Sequence, residues 1–135
     1  MNIEVSLAEG MKVNATVGKH IVKTDQKTYG GGEDSAPAPF DYFLASLATC
    51  AGIFVKVFCE RRGIDSTQVS LVQKHDVDPL SHKIKGINLE ILLPADFPEK
   101  YKDAVIAAAD QCSVKKLIAD PPEISVRALT VQEYQ

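Results

Sequence analysis

The chain has 135 residues, 45% of them hydrophobic and 24% charged, with a formal net charge of −3. That size predicts one domain over residues 1–135, and the composition excludes wholesale disorder. The weakly acidic balance gives no basic stripe for nucleic acid, and no apolar run approaches the roughly 20 residues that span a bilayer. The opening MNIEVSLAEG lacks the basic stretch and apolar block of an export signal. Three cysteines with no CxxC pair therefore predict reduced thiols in a cytoplasmic protein, not a disulfide framework or a zinc ribbon.

Taken in chain order, residues 3–7 alternate, with Ile3, Val5 and Leu7 on one face and Glu4 and Ser6 on the other. Residues 11–17 repeat the pattern, and Ala8-Glu9-Gly10 supplies the turn. A short third strand over 20–23 completes an antiparallel set. Residues 29–39, YGGGEDSAPAP, read as a loop whose glycines and charges suggest mobility and whose length suits a lid or a crossover. Residues 39–62 read as one long helix of roughly 36 Å. Pro39 suits its first turn, and Asp41 lies where the helix dipole favours a negative charge. Phe40, Phe43, Leu47, Cys50, Phe54 and Phe58 mark its apolar stripe, and Ile53 and Val55 make it apolar nearly all round. A chain of this size has too little else to cover such a helix, which predicts a dimer.

Beyond Gly63, residues 67–76 and 83–93 read as two strands around a loop at 77–82, with a bulge near Gly86. Asp96-Phe97-Pro98-Glu99 has the form of a capping box for a helix over 98–111, and Ser113 that of a second N-cap for a short helix over 114–118. Ile124, Val126 and Ala128 alternate as a last strand. The order βββ-α-ββ-α-α-β predicts an α+β fold, with antiparallel strands wrapped around a central helix.

The chemistry-bearing residues are the cysteines. Cys50 and Cys59 lie on opposite sides of the long helix and roughly 13 Å apart along its axis, so they cannot pair. Cys59 reads as a small buried hydrophobe. Cys112 falls at a helix junction, where the amides of the next turn could stabilise a thiolate. Spacing does not show whether Cys50 and Cys112 meet. His20, His75 and His82 are scattered on strand or loop positions, without the spacing of a metal site.

The stretch Pro39-Phe40-Asp41-Tyr42-Phe43-Leu44-Ala45-Ser46-Leu47-Ala48-Thr49-Cys50 resembles the long-helix signature of the OsmC/Ohr superfamily. Gln111-Cys112-Ser113-Val114-Lys115-Lys116-Leu117 resembles its second motif, and the element order agrees along nearly the whole chain. The resemblance implies an intertwined homodimer with its long helices at the centre and equivalent active sites at the subunit interface. It also implies reduction of organic hydroperoxides, with Cys50 as the peroxidatic thiol and Cys112 as the resolving one. A dithiol or lipoyl protein would be the reductant, and no metal or other cofactor would be needed. Phe40, Phe43, Leu47 and Phe54, or their dimer mates, would then form an apolar substrate pocket.

Two positions depart from the superfamily pattern. Its peroxidases use an N-terminal arginine beside the reactive thiolate, whereas this chain has no arginine before Arg61. Lys12 stands near the expected place and could bring a positive charge, without the forked contact of a guanidinium. The acid falls at Asp41, one position later than in better-known members. Asp41 can orient a polar partner of Cys50 or simply favour the helix N-terminus. These features resemble a divergent branch and leave two readings. One is a thiol-dependent peroxidase, and the other is a non-peroxidatic dimer that binds a small apolar molecule at its interface.

Overall fold

The computed structural model describes residues 1–134. Strands β1 (Ile3–Leu7), β2 (Val13–Val17) and β3 (His20–Thr24) form an antiparallel meander in that order. Its register places Val5 opposite Ala15 and Ala15 opposite Val22, so the apolar positions of the alternation share one face. That face is not buried within the protomer: every residue of β1 is exposed.

The loop after β3 is tied at its base by a buried carboxylate. Asp25 is 1% exposed. Its carboxylate accepts the amides of Gln26 at 2.8 Å, Glu33 at 3.2 Å and Ser35 at 3.1 Å, and the Ser35 hydroxyl at 2.7 Å. These donors, the Ser35 hydroxyl first, hold the carboxyl far below its ordinary range even though burial opposes ionisation. Gly32 is required in this wrap, because a Cβ there would stand 2.1 Å from the Gln26 carbonyl oxygen.

Helix α1 (Pro39–Glu60) follows, opened by proline as expected. It ends two residues short of the predicted boundary. Gly63 has φ +66°, and the carbonyls of Glu60 and Cys59 accept the Gly63 and Ile64 amides. Leu47, Ala51, Val55, Phe58 and Cys59 are its buried residues. The parallel stripe that includes Phe43, Cys50 and Phe54 is only partly covered. Contrary to the reading of the sequence, α1 is long and apolar enough to span a bilayer. In this fold its buried stripe packs on a sheet and a second helix.

Strands β4 (Ser70–Val77) and β5 (Ile84–Leu92) form the second sheet, a hairpin with the expected bulge, since Asp76 faces Gly86 and Val77 faces Ile84. Leu71, Ile87, Leu89 and Ile91 turn toward α1. The first turn of the strand predicted from residue 67 is instead a 3-10 turn over Ser66–Gln68, because Asp65 accepts the Thr67 amide and hydroxyl. The helix predicted over 98–111 starts as a 3-10 turn and continues as α2 (Lys102–Ala109). No side chain caps it, so the Asp96 capping box is not formed. Helix α3 (Ser113–Ala119) comes next.

The core has two parts that meet at Leu71 and Ala109. One contains Val55, Phe58, Cys59, Phe97 and Val105, and the other contains Leu47, Ala51 and Cys112. Arg62 lies over the Phe58 ring at 3.7 Å and closes the first part against Tyr101. The predicted last strand is absent. Residues 121–130 have no regular structure, with Val126 95% exposed, and a short helix α4 (Val131–Tyr134) ends the described chain. Alternation alone does not make a strand: it needs a neighbour to bond, and among the described residues none pairs with this segment.

Candidate active site

Three elements build the site. Helix α1 presents Leu47 and Cys50 one turn apart, on the border between its buried and half-covered faces. Strands β4 and β5 press Leu71, Ile87 and Leu89 on the same region. Gln73 of β4 donates from Nε2 to the Leu44 carbonyl at 3.1 Å, pinning the sheet to α1 one turn before Leu47. The α2–α3 junction then brings in Cys112, only 1% exposed, against Leu47 and Ala51. Cys50 packs on the same cluster, so the fold brings the two motif cysteines together. Both are free thiols.

The cap of α3 explains why the junction holds its shape. The N-cap is Cys112 itself rather than Ser113. Its sulfur accepts the Lys115 amide at 3.4 Å, and its thiol donates to the Leu47 carbonyl at 3.7 Å. A sulfur in the place of a capping hydroxyl thus ties α3 to α1. Lys115 also pairs with Asp110 across the junction. Ser113 and Val114 become the first residues of the helix, with amides that have no carbonyl partner in the preceding turn.

Those amides set the electrostatics. The Val114 amide, then the Cys112 thiol and the Ser113 amide, hold the Cys50 thiol below its ordinary range against a smaller opposing effect of burial. Cys112 moves the other way: burial pushes its thiol up, and a neighbouring Cys50 thiolate adds to the rise. The two thiols of the pair are therefore unlike, with Cys50 the more acidic and Cys112 the less. Cys59 is buried in the adjoining core with its thiol pushed up by desolvation, in keeping with a structural role.

The other predicted site residues divide. Leu47 is buried beside Cys112, and Phe54 is half-buried one turn beyond Cys50. Phe40 and Phe43 stack on each other at 5.7 Å and remain exposed, nearer the start of α1. Asp41 accepts the Ala38 amide at 3.0 Å, so within the protomer it acts as a helix cap far along the axis from Cys50. Lys12 is bound to Glu33 at 2.6 Å and lies 3.9 Å from Glu9. It is not among the groups acting on the Cys50 sulfur, whose thiolate is favoured here by backbone amides. The sequence predicts that the amides of this turn favour a Cys112 thiolate; in the structure the Ser113 and Val114 amides favour the Cys50 thiolate instead, and the Leu47 carbonyl, which accepts the Cys112 thiol, has no counterpart in the sequence reading. The placing of Cys112 at a helix start was the only signal of these amides.

The fold and this pair define a class: an α+β protein with two unlike free thiols brought together from a long helix and a later short one. The chain belongs to the OsmC-like protein family, which matches residues 31–127. Solved structures share its fold. A candidate osmotic stress induced and detoxification response protein of Psychrobacter arcticus is 17% identical, with a TM-score of 0.71 and 86% of each chain covered. The organic hydroperoxide resistance protein OsmC of Legionella pneumophila is 20% identical, with a TM-score of 0.54 and 87% of each chain covered. The organic hydroperoxide resistance protein OhrB of Bacillus subtilis is 14% identical, with a TM-score of 0.53, 89% of this chain and 90% of that one covered. No curated protein matches the chain.

Proposed function

We propose that the protein is a thiol-dependent peroxidase that reduces organic hydroperoxides through Cys50 and Cys112 and works as a homodimer. The observation that carries this reading is the meeting of the two cysteines with opposite shifts in acidity. The Cys50 thiolate attacks the terminal peroxide oxygen, the O–O bond breaks, and the alkoxide leaves and is protonated to the alcohol. Cys50 is now a sulfenic acid. The Cys112 thiol attacks its sulfur, water leaves, and a disulfide joins the two residues. A dithiol then reduces that disulfide by exchange. Proton economy fits the pair: the attacking group is the one ionised first, and Cys112 keeps its proton until it is needed.

Organic rather than inorganic peroxides are favoured by the lining. Leu47 and Phe54 flank Cys50, and Phe40 and Phe43 offer further apolar surface at the start of α1. The names of the Legionella and Bacillus structures support the same substrate class, although their identity to this chain is low. Reduced thiols at rest suit a reducing compartment such as the cytoplasm. The homodimer is supported by the apolar faces that the protomer leaves uncovered on β1 and along residues 121–130.

The experiment is consumption of cumene hydroperoxide with a dithiol. Wild type turns over and Cys50→Ser loses at least about a hundredfold. Oxidation with one equivalent of peroxide removes two thiols per chain and yields a linked Cys50–Cys112 peptide. An equal rate for Cys50→Ser would overturn the reading. The second reading, an apolar-ligand-binding dimer without turnover, is favoured by one observation: Lys12 is engaged by Glu33. Retention of all three thiols after peroxide, with saturable binding of the hydrocarbon part of the substrate, would select it.

A further inference from the structure

Gln73 and His75 are polar residues on the face of β4 that meets α1, and the peroxide chemistry leaves both unused. They alternate there with Leu71, and across the hairpin Leu89 stands opposite Gln73 and Ile87 opposite His75. Leu71, Ile87 and Leu89 press on the cluster of Leu47, Ala51, Cys50 and Cys112, so the polar pair belongs to the wall beside the thiols. Two carbonyls of α1, three residues apart and so on one face, accept a donor from outside the helix: Leu44 from Gln73 Nε2 at 3.1 Å, and Leu47 from the Cys112 thiol at 3.7 Å. The sheet and the α2–α3 junction thus take hold of the same stretch of helix.

These contacts fix the protons. A carbonyl only accepts, so the Gln73 atom facing Leu44 is the amide nitrogen. The same nitrogen lies 2.7 Å from His75 Nε2, which must therefore accept, and the neutral ring carries its proton on Nδ1. Gln73 Oε1 is left buried, with no donor among the described residues. An acceptor without a donor is costly in an apolar wall, and Leu44 and a neutral His75 together hold it in that state. Protonating His75 at Nε2 sets a donor against a donor. The clash is relieved when the amide turns half over: Oε1 accepts the imidazolium proton, and the Leu44 carbonyl loses its donor. We propose that Gln73 is a positioning residue for the Cys50–Cys112 pair, holding β4 to α1 while His75 is neutral and releasing it when His75 is protonated. This rests on the peroxidase reading above and adds a residue that keeps the two thiols placed to join.

The other titratable groups of the elements packed here are engaged or turned away. On β4, Lys74 and Asp76 alternate to the opposite face of the strand, and Lys74 pairs with Glu90 of β5 at 2.8 Å. Beyond Gly86, Lys85 is bound to Asp78 at 2.8 Å. In the first turns of α1, Asp41 accepts the Ala38 amide, and the Tyr42 hydroxyl donates to the Lys23 carbonyl. The thiols titrate as well, and a comparison of two proteins at equal pH removes their effect. His75 is exposed, so protons reach it. Histidine is the side chain that changes charge between about pH 5 and 8.

The test times closure of the Cys50–Cys112 disulfide by diamide, which takes up the two electrons and two protons that the thiols lose and needs no peroxide turnover. The comparison is His75→Gln, whose carboxamide oxygen accepts from Gln73 at any pH. The wild-type rate divided by the His75→Gln rate should fall at least about threefold from pH 8 to pH 5.5, the scale of one hydrogen bond. A level ratio means that the protonated ring turns out to solvent while Gln73 keeps its bond. It overturns the proposal and leaves the peroxidase reading standing. Failure of diamide to join the two cysteines overturns both. Gln73→Leu separates positioning from packing, because it takes the orphaned oxygen out of an apolar wall. Its Tm should match or exceed that of the wild type, yet at pH 8 it should close the disulfide at least about threefold more slowly. Closure at the wild-type rate overturns the proposal. The ¹⁵N shifts of the His75 ring read the proton without any variant: Nδ1–H is expected at pH 8, and Nε2–H there overturns the assignment.

Discussion

The segment from α1 to α3 and the segments on either side of it use apolar residues in opposite ways. Between residues 39 and 119, apolar periodicity builds a core, with Val55, Phe58 and Val105 in one part and Leu47 and Cys112 in the other, while Phe40, Phe43 and Ile53 stay exposed. In β1 and along residues 121–130 the alternation is as clean, yet Leu7 is 86% exposed and Ile124 84%. The first region carries its own partners within the chain. The second is patterned for a surface the protomer does not supply. Hydrophobic pattern therefore reports that burial is required, not which chain provides it.

That contrast can be broken most sharply in the core. Phe97→Ala should cost about 3–4 kcal/mol in urea unfolding, since it empties a filled site beside Val55 and Val105. Val126→Ala, measured on the dilute monomer, should cost under about 0.5 kcal/mol. Similar costs for both would mean that residue 126 is buried in the protomer, and the comparison would fail. The paired substitution Leu7→Asp with Val126→Asp should leave helical circular dichroism intact. It should also raise the dissociation constant of self-association at least tenfold, read by sedimentation.

A smaller effect separates the anchored loop from both regions. The Asp25 carboxyl is held far below its ordinary value by its donors, so it is ionised in the folded chain where the unfolded chain begins to bind protons. Its contribution is present above about pH 4, the unfolded value, and is lost as pH falls from there through the folded value. Asp25→Ala should lower Tm by roughly 5 °C at pH 7. It should also flatten the acid side of the stability profile, measured by thermal melts from pH 7 to pH 3. A wild-type profile that is flat over this range would show the loop to be held by other contacts.

Most of the framework is legible in the sequence because its signals are local. Period-two alternation marked β1 and β5, proline and glycine marked the limits of α1, and the phase break at Ile84 and Ile87 marked the bulge. The order from β1 to α3 follows. What stayed hidden depends on distant or backbone partners. The wrap around Asp25 joins backbone amides across ten residues, and no pattern of side chains announces it. The capping of α3 by Cys112 was read one residue late, because a hydroxyl is the usual cap and a thiol is not. The last strand was read where an alternating segment lacks an in-chain neighbour. In the site, the motifs named Cys50 and Cys112, but the donors that make them unlike are the Ser113 and Val114 main chain, to which residue identity is nearly blind.

Because those donors are amides, a single proline can probe them. Ser113 is the first residue of α3, where proline is well tolerated, and Cys112 before it is extended, with ψ 120°, as a residue preceding proline must be. Ser113→Pro should therefore keep the helix and the Cys112 cap while deleting one N–H that favours the Cys50 thiolate. The Val114 amide, the larger influence, remains. The expected result is a modest upward movement of the pH midpoint for Cys50 alkylation by iodoacetamide. At neutral pH the rate should fall roughly two- to fivefold, the scale of one interaction at a helix N-terminus. Cys59 should stay unreactive in both proteins, since it is buried in the core. If the proline leaves the midpoint in place while the fold is intact, the thiolate owes its stability to something other than the α3 main chain. A cation from a second protomer would then be the group to seek, with Lys12→Met as the matching measurement.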